Sequence, residues 1–356
     1  MTVVDGDAAC GTGGFVLSTH LLGKGGQGMV YRGTGPNGPV AIKVRSSASQ
    51  FGAKGEADAL RMVCDHPNII KFFGLYENHA DQSYWLVFEL ASGYVELYDV
   101  VKQAIDAQRA AVASVASTFL FDKRAYYSKM VVIFAKAASA FQHCHDLGIA
   151  HRDIKLDNIL VRTFSSRKRA IAADGDVEDA RAVSHDVKLI DFGLAASTDG
   201  RGVHNPLVGT TVYVSPEEQV GKFKVCGGNG AVGAPRGGVR KKNIFDSFDA
   251  FASDVWSFGI SVFAAFIFVF PFEKAVTSDA CFANFKAAGS VSFFQTVASF
   301  WKFKPCLLLS QQYGTILSII DASLQIDVGE RPTFKWIRET LEGGEGGEGG
   351  EGGKEI

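Results

Sequence analysis

Hydrophobic and polar positions divide the chain into a short strand-rich part followed by a longer helical part. Residues 15–45 alternate apolar runs with glycines, and residues 69–90 hold two further apolar runs, which is typical of strands joined by tight turns. Between them, residues 54–64 place apolar side chains at helical spacing. Helical patterns then dominate, most clearly at 125–147 and 254–268. This order predicts an α+β protein with two lobes: a small antiparallel sheet with one main helix, then a larger, mainly helical lobe.

Four segments depart from this pattern. Residues 1–14 are rich in glycine and predict a flexible leader, and the EGG repeats of residues 342–356 predict a disordered tail, because neither buries apolar area. Residues 163–186 are polar and mixed in charge, which predicts a surface insertion between two strands. Residues 221–243 are glycine-rich with six basic residues and no acidic one. We expect a solvated loop there; docking of an acidic partner or nuclear import is the alternative, and SSRKR at 165–169 leaves the same choice.

Composition narrows the class of protein. A formal net charge of -2 and a pI near 6.5 favour neither nucleic acid nor an anionic membrane as partner. The six cysteines are scattered without a C-x-x-C pair, so reduced thiols are expected rather than disulfides or a zinc site. The N-terminus carries no basic leader or apolar stretch, which predicts an intracellular protein, cytoplasmic with the nucleus as alternative. We also expect a monomer.

One apolar segment invites a different interpretation. Residues Trp256–Phe272 are uncharged and approach the shortest length that spans a membrane. A buried core helix explains the segment better, because its beginning, DVWSFG, belongs to a motif considered below.

A glycine-rich loop is the first candidate for phosphate chemistry. Gly23, Gly25 and Gly28 have G-x-G-x-x-G spacing, which lets backbone N–H groups approach phosphate oxygens closely. A dinucleotide-binding loop and an ordinary hairpin share this spacing. A β pattern, rather than a helix, follows the third glycine and leads to VAIK, which favours a phosphate loop between two strands.

Lys43 ends the VAIK strand and offers a cation for phosphates. Such a lysine needs an acidic partner to hold it in place. Glu56 on the next predicted helix is the best candidate, since it lies one turn before Leu60, whereas Asp58 points elsewhere.

The most specific strings in the chain are HRDIKLDN at residues 151–158 and DFG at residues 191–193. Together with the preceding features they resemble the eukaryotic protein kinase family, of serine/threonine type because Lys155 follows Asp153 by two residues. The chain is also loosely similar to the calcium/calmodulin-dependent group. The resemblance implies a kinase domain over about 15–341, with an N-lobe over about 15–88, a hinge over about 89–95 and a C-lobe over about 96–341.

The resemblance also implies the roles of individual residues. The catalytic set is Asp153 as base with Lys155, Lys43, Glu56 and Thr210. The magnesium ligands are Asn158 and Asp191. The ATP-binding set is Leu22, Gly23, Gly25, Gly28, Val30, Ala41, Lys43, Phe88, Glu89, Ala91 and Leu160. The structural set is His151, Phe192, Gly193, Glu217 paired with Arg331, and Asp254 of DVWSFG.

This resemblance implies transfer of the ATP γ-phosphate to serine or threonine of protein substrates, with ATP and Mg²⁺ as cofactors. Glu96 and Asp157 would contact arginine upstream of the target residue. A catalytically weak pseudokinase acting as an ATP-binding scaffold is the alternative, and a small-molecule phosphotransferase is a second one. The retained lysine, aspartates and asparagine count against the first alternative. HPNII, GTTVYVSPE and DVWSFG count against the second.

We expect activation to differ from the usual phosphorylation of the activation segment in this family. Arg152 precedes Asp153, and kinases with that arginine often need an anion on the activation segment. The residue three positions before Gly209 is Pro206, which has no hydroxyl group. We therefore predict activity without a phosphate there; Ser197, Thr198 and Thr211 are the nearby alternatives.

Overall fold

A computed structural model describes the greater part of the chain. The described residues are 13–26, 28–46, 50–113, 123–171, 177–198, 209–219, 248–300 and 311–343. The predictions for leader residues 1–12, Pro206, the basic insertion 221–243 and tail residues 344–356 lie outside these ranges.

Five antiparallel strands form the sheet of the N-lobe. They are β1 (Val16–Gly25), β2 (Gly28–Gly35), β3 (Gly38–Ser46), β4 (Phe72–Asn78) and β5 (Ser83–Glu89), in the order β1-β2-β3-β5-β4. Side chains of the central strands alternate between two apolar clusters. Ile42 and Val87 lie in one cluster, and Leu86 and Phe88 in the other. Lys43, which pairs with Leu86, therefore lies on the sheet face covered by the helix.

Helix α1 (Gln50–Val63) covers that face of the sheet. Its buried residues Ala53, Ala57, Leu60 and Val63 recur at helical spacing, as the apolar pattern of residues 54–64 predicts. The helix begins four residues before that pattern, because its first turn carries mainly polar and small side chains.

The C-lobe is mainly helical. Its helices are α2 (Leu97–Ala113), α3 (Lys123–Asp146), α4 (Ala250–Ile267), α5 (Ala280–Phe300, interrupted at Gly289), α6 (Gln311–Ser323) and α7 (Phe334–Leu341). Phe258 of α4 lies 5.5 Å from Phe134 of α3 and 5.2 Å from Phe334 of α7, measured between ring centroids. Edge-to-face packing of these aromatic rings joins the three helices in one core.

Helix α4 contains most of the uncharged segment discussed above. The Asp249 side chain caps it by accepting hydrogen bonds from Phe251 and Ala252 N–H, and Phe268 ends it in a left-handed conformation. By length and composition it could cross a membrane, yet 83% of it is buried inside the protein. This burial supports the interpretation as a core helix.

The C-lobe contains a long two-stranded ribbon. Strand β8 (Ile159–Ile171) pairs with β9 (Val177–Leu189) in unbroken antiparallel register, and the short strand β6 (Val95–Glu96) pairs with the base of β8. β7 (Ile149–Ala150) pairs with β10 (Ala196–Ser197). The predicted insertion at 163–186 is thus mostly a continuation of its flanking strands. The sequence of this segment is polar and shows no alternation of apolar and polar residues. The two strands can still pair, because the hydrogen bonds between them are made by the backbone. The two-lobed α+β architecture is confirmed.

Candidate active site

Lys43 joins the two lobes through two carboxylates. Its Nζ lies 2.8 and 3.0 Å from the Glu56 carboxylate oxygens and 2.7 Å from Asp191 Oδ1. Glu56 is 2% exposed because it shares the buried face of α1. Asp58 lies on the exposed face, where it accepts a hydrogen bond from Arg61 at 2.6 Å. The expected Lys43–Glu56 contact is present, and Asp58 takes no part in it.

Burial and charge pairing act against each other at these carboxylates. Burial raises the pKa of Glu56, and the Lys43 ammonium opposes the rise. Burial also acts to raise the pKa of Asp191, but Lys43, His151 and the Gly193 N–H together hold it below its usual value. Asp191 therefore stays ionised, as a ligand for a cation must.

Arg45 is a second buried cation beside Glu56. Its Nη1 lies 3.4 Å from Glu56 Oε2, and its side chain is 5% exposed. The sequence analysis did not include it. The alternation of β3 was the available signal, because residues two apart on a strand face the same side and Lys43 faces α1.

The turn between β1 and β2 leaves room above the sheet. Gly25 pairs with Gly28, whose φ of +148° and whose closeness to Val44 exclude other residues: a Cβ there would lie 2.6 Å from the Val44 carbonyl oxygen. A Cβ on Gly23 or Gly25 would meet nothing within 4 Å. The protein's own packing therefore leaves open space at these two glycines, and a phosphate group can approach their backbone.

The segment 151–158 gathers its polar side chains around Asp153. Asp153 Oδ2 accepts hydrogen bonds from Lys155 Nζ at 2.8 Å and from Asn158 Nδ2 at 3.0 Å. Lys155 Nζ also donates to Thr210 Oγ1 at 3.2 Å, so Lys155 bridges Asp153 and Thr210. Asp153 is 7% exposed, and its remaining carboxylate oxygen accepts from neither of these donors.

Asp254, at the start of the DVWSFG motif, holds this segment from below. Its two carboxylate oxygens accept the backbone N–H groups of His151 at 2.7 Å and Arg152 at 2.8 Å, and His145 Nε2 lies 3.0 Å away. Arg152 has a φ of +64°, an unfavourable conformation for a residue with a side chain. The two hydrogen bonds to Asp254 hold that backbone in place.

Phe192 links the DFG segment to the same loop. Its side chain is fully buried, and its ring centroid lies 4.8 Å from that of His151. With Phe192 packed there, Asp191 points toward Lys43 and Gly193 N–H donates to Asp191 Oδ1 at 3.4 Å. The structure thus brings Lys43, Asp153, Asn158 and Asp191 into one cleft between the lobes.

The predicted hinge supplies a partly apolar wall to this cleft. Phe88 is buried against Phe72, with ring centroids 5.5 Å apart. The Glu89 N–H donates to the Lys71 carbonyl, so that donor does not serve a ligand. Among the described residues none accepts a hydrogen bond from the Ala91 backbone N–H. The remaining predicted wall residues are only partly buried or exposed: Leu22, Val30, Ala41 and Leu160.

Three carboxylates form an acidic group beside the catalytic segment: Glu96, Asp99 and Asp157. Pairing of β6 with β8 places Glu96 opposite Leu160, two residues beyond Asn158. Burial raises the pKa of Glu96, the Asp157 and Asp99 charges raise it further, and Lys155 lowers it. This local negative charge suits a cationic ligand.

Glu217 and Arg331 form the expected ion pair under the activation segment. Arg331 Nη1 and Nη2 lie 2.6 and 2.9 Å from the two Glu217 oxygens, a bidentate arrangement. Arg331 also donates to the Gln325 and Ala252 carbonyls and stacks on Trp256 at 5.0 Å.

Comparison with known proteins identifies the family. Residues 17–223 match the family model described as the protein kinase domain, which is more than half of the chain. The chain belongs to the protein kinase family.

Relatives of the kinase lie at similar distances. It is 28% identical over 207 residues to human Myosin-IIIa, covering 56% of this chain and 11% of the relative. It is 28% identical over 218 residues to Calcium-dependent protein kinase 5 of Plasmodium berghei, covering 60% and 32%. It is 29% identical over 198 residues to a probable serine/threonine-protein kinase, zyg-1, of Caenorhabditis briggsae, covering 55% and 23%. The chain thus spans a third or less of the length of these relatives.

The kinase has oxygen atoms that could bind the magnesium ion of a magnesium–nucleotide complex. Both Asn158 Nδ2 hydrogens are directed to Asp153, which leaves Asn158 Oδ1 for a cation. Lys43 and Gly193 both donate to Asp191 Oδ1, which leaves Oδ2. Mg²⁺ takes oxygen ligands and is commonly held by one or two protein groups together with substrate phosphates. Within the described ranges no three His, Cys, Asp or Glu side chains are grouped to hold a metal alone.

Glu218, a buried carboxylate beneath the kinase's activation segment, was not predicted from the sequence. Glu218 accepts a hydrogen bond from Ser253, whose hydroxyl lies 3.0 Å from that of Ser215. Burial lowers the pKa of Arg152, and the Glu218 and Asp254 charges oppose that effect. Ser215 stands where the family usually has alanine, and this departure was the available signal for a polar cluster.

Glu218 should make stability depend on pH. Burial raises its pKa from 4.5 to about 7, opposed by Ser253 and Arg152. The folded protein therefore holds a proton there that the unfolded chain has lost, so stability falls as pH rises from about 4.5 to about 7. We expect Glu218→Gln to remove a contribution on the order of 3 kcal/mol to that fall, measured by urea unfolding at several pH values. The exposed Glu330→Gln variant should keep the wild-type profile; an equal profile in Glu218→Gln would contradict the assignment.

Proposed function

We propose that the kinase transfers the γ-phosphoryl group of ATP to serine and threonine hydroxyls of protein substrates. The observation that carries the proposal is the assembled pair of clusters: Lys43 with Glu56 and Asp191, and Asp153 with Lys155 and Asn158. All four groups whose loss would mark a scaffold are present and in contact within these clusters. We propose an active kinase rather than an inactive ATP-binding scaffold because of that geometry.

Each residue has a defined task in the proposed reaction. Asp153 orients the substrate hydroxyl and accepts its proton, while Lys155 offsets the negative charge on the transferring phosphoryl group. Lys43, fixed by Glu56, positions the α and β phosphates, and the glycine loop covers them with backbone N–H groups. Asn158 and Asp191 would hold Mg²⁺, which when bound neutralises phosphate charge. The Lys155–Thr210 contact supports serine and threonine as acceptors, because it places the activation segment at the edge of Asp153.

The assay that tests this function uses the full chain, γ-labelled ATP, Mg²⁺ and a general substrate such as myelin basic protein. We expect label on serine and threonine after acid hydrolysis of the substrate. Nucleotide binding without any transfer would favour the scaffold, and label on tyrosine would overturn the acceptor class. The intracellular location and monomeric state remain predictions.

The acidic group supports a preference for arginine before the target residue. A guanidinium can pair with Glu96 and Asp157, because the Asp157 charge already acts on Glu96 and raises its pKa. Charged hydrogen bonds contribute roughly 1.5–3 kcal/mol, which corresponds to about a tenfold or larger preference.

We expect Glu96→Gln to lower the kcat/KM ratio of an arginine-containing peptide over its alanine counterpart by about tenfold. Steady-state kinetics with the two peptides measures the ratio. Asp106→Asn, an exposed substitution on helix α2, which begins at the residue after Glu96, is the control and should leave the ratio unchanged. An unaltered ratio in Glu96→Gln would remove the arginine site.

Activity is expected to persist without phosphate on the activation segment. Arg152 already lies near the Asp254 carboxylate, which supplies an anion of the kind that a phosphate provides in other kinases, and near Glu218, which is partly ionised around pH 7. Phosphatase-treated protein should retain activity within about twofold of the untreated protein. Loss of activity together with loss of phosphate from Ser197, Thr198 or Thr211 would show that the switch has moved to one of those residues.

A further inference from the structure

The β8–β9 ribbon carries a sequence pattern that the fold and the proposed reaction leave unused. Arg162 precedes Ser165 by three residues on β8, and Arg181 precedes Ser184 by three residues on β9. No other arginine in the chain is followed by serine or threonine at the third position. Phe164 pairs with Ser184 and Ser165 with Val183, so the two serines lie at adjacent rungs of one ribbon.

The acidic group lies beside the segment that carries Asp153. Glu96 pairs with Leu160 on β8, two residues beyond Asn158. Asp157 follows Lys155 by two residues, and Lys155 Nζ lies 2.8 Å from Asp153 Oδ2. Three residues of extended chain cover about 10 Å, and both serines lie in extended strands.

We propose that Ser184 is a self-phosphorylation site, modified by a second copy of this kinase. The proposal rests on the proposed function, since it needs transfer to serine and recognition of an upstream arginine. The new element is the acceptor: the ribbon of the chain itself.

The structure presents Ser184 to a second molecule. Its side chain is exposed, in contrast to its buried neighbour His185. Phe164, its partner across the ribbon, lies under the Arg162 guanidinium at 4.4 Å. Arg162 lies 3.1 Å from Asp186 on the same ribbon face. Its guanidinium would therefore lie close to a phosphate group on Ser184.

The second copy is required because the ribbon is anchored at its base. Strand pairing runs without interruption from the pair of Ile159 with Leu189 to the pair of Ile171 with Val177. Leu189 lies two residues before Asp191, and Ser184 lies about 17 Å further along the strand. The ladder would have to break for Ser184 to reach the cleft of its own molecule.

The transfer balances as an ordinary phosphoryl transfer. Ser184 Oγ of the acceptor copy forms a bond to the γ-phosphorus of ATP, and the bond from that phosphorus to the β–γ bridging oxygen breaks. ADP leaves with the electron pair, and the serine proton passes to Asp153 of the donor copy.

The test uses two full-length copies that differ in mass. A tagged Asp153→Asn chain serves as acceptor, the untagged wild-type chain as enzyme, and a peptide containing R-A-V-S is assayed in parallel. Mass spectrometry of the acceptor should find phosphate on Ser184. Arg181→Ala in the acceptor should slow Ser184 labelling at least about tenfold. Arg167→Ala is the matched control, because it removes the arginine opposite Arg181 and precedes no target serine.

The outcomes separate this proposal from the proposed function. A labelled peptide with an unlabelled ribbon overturns the self-phosphorylation site and leaves the kinase activity standing. Absence of label on both the peptide and the ribbon overturns the self-phosphorylation site and the proposed kinase activity together. Equal slowing by Arg167→Ala and Arg181→Ala would show that general charge, rather than the arginine at the third position, directs the reaction, and would also contradict the proposal.

Discussion

Asp153→Asn is expected to reduce phosphoryl transfer by roughly 10²- to 10⁴-fold while nucleotide binding persists. The amide that replaces the carboxylate has no basic oxygen for the substrate proton, and it gives up the ion pair with Lys155 at 2.8 Å. In the proposed reaction the nucleotide is held by other residues, among them Lys43, whose partners Glu56 and Asp191 are unchanged. Initial rates with labelled ATP and calorimetric titration with nucleotide measure the two quantities.

The control for this variant is Asp146→Asn, an exposed aspartate near the end of α3, which should keep the wild-type rate. Comparable melting temperatures of the two variants would show that folding is intact. Wild-type transfer by Asp153→Asn would exclude Asp153 as the base, and it would leave the assembled cleft without an explanation in terms of catalysis.

Arg331→Met is expected to cause a large loss of stability in the C-lobe. The Arg331 side chain is completely buried, and it makes four hydrogen bonds, to Glu217, Gln325 and Ala252. Removing it leaves the Glu217 carboxylate without its partner under the activation segment. Breaking such a buried pair costs about 3–5 kcal/mol, which lowers the melting temperature by on the order of 10 °C.

Arg338→Met is the matched substitution for this comparison. Arg338 lies on the next helix, α7, is partly exposed and sits 3.9 Å from Glu339, so its loss should change stability by less than about 1 kcal/mol. Thermal unfolding followed by circular dichroism compares the variants. Similar melting temperatures for both would refute the structural role given to the Glu217–Arg331 pair.

The sequence by itself determined the family, the lobe order and the candidates for the reacting groups. Motifs such as HRDIKLDN and DFG are short, and the chemistry of each depends on residues a few positions apart in one loop. Helical spacing likewise placed Glu56 beside Leu60 on the buried face of α1 and Asp58 on the other. Local periodicity reports such faces directly, because it arises from the geometry of a single helix or strand.

Contacts between distant segments that belong to no motif were decided only by the tertiary structure. Arg45 joins Glu56 because β3 packs under α1, and Glu218 meets Ser253 because the activation segment lies on α4. The polar stretch 163–186 showed no strand pattern, yet it pairs as a ribbon whose Arg162 stacks on Tyr94 near the hinge. Burial and charge depend on which surfaces meet, and residues far apart in sequence carry no local mark of their partner.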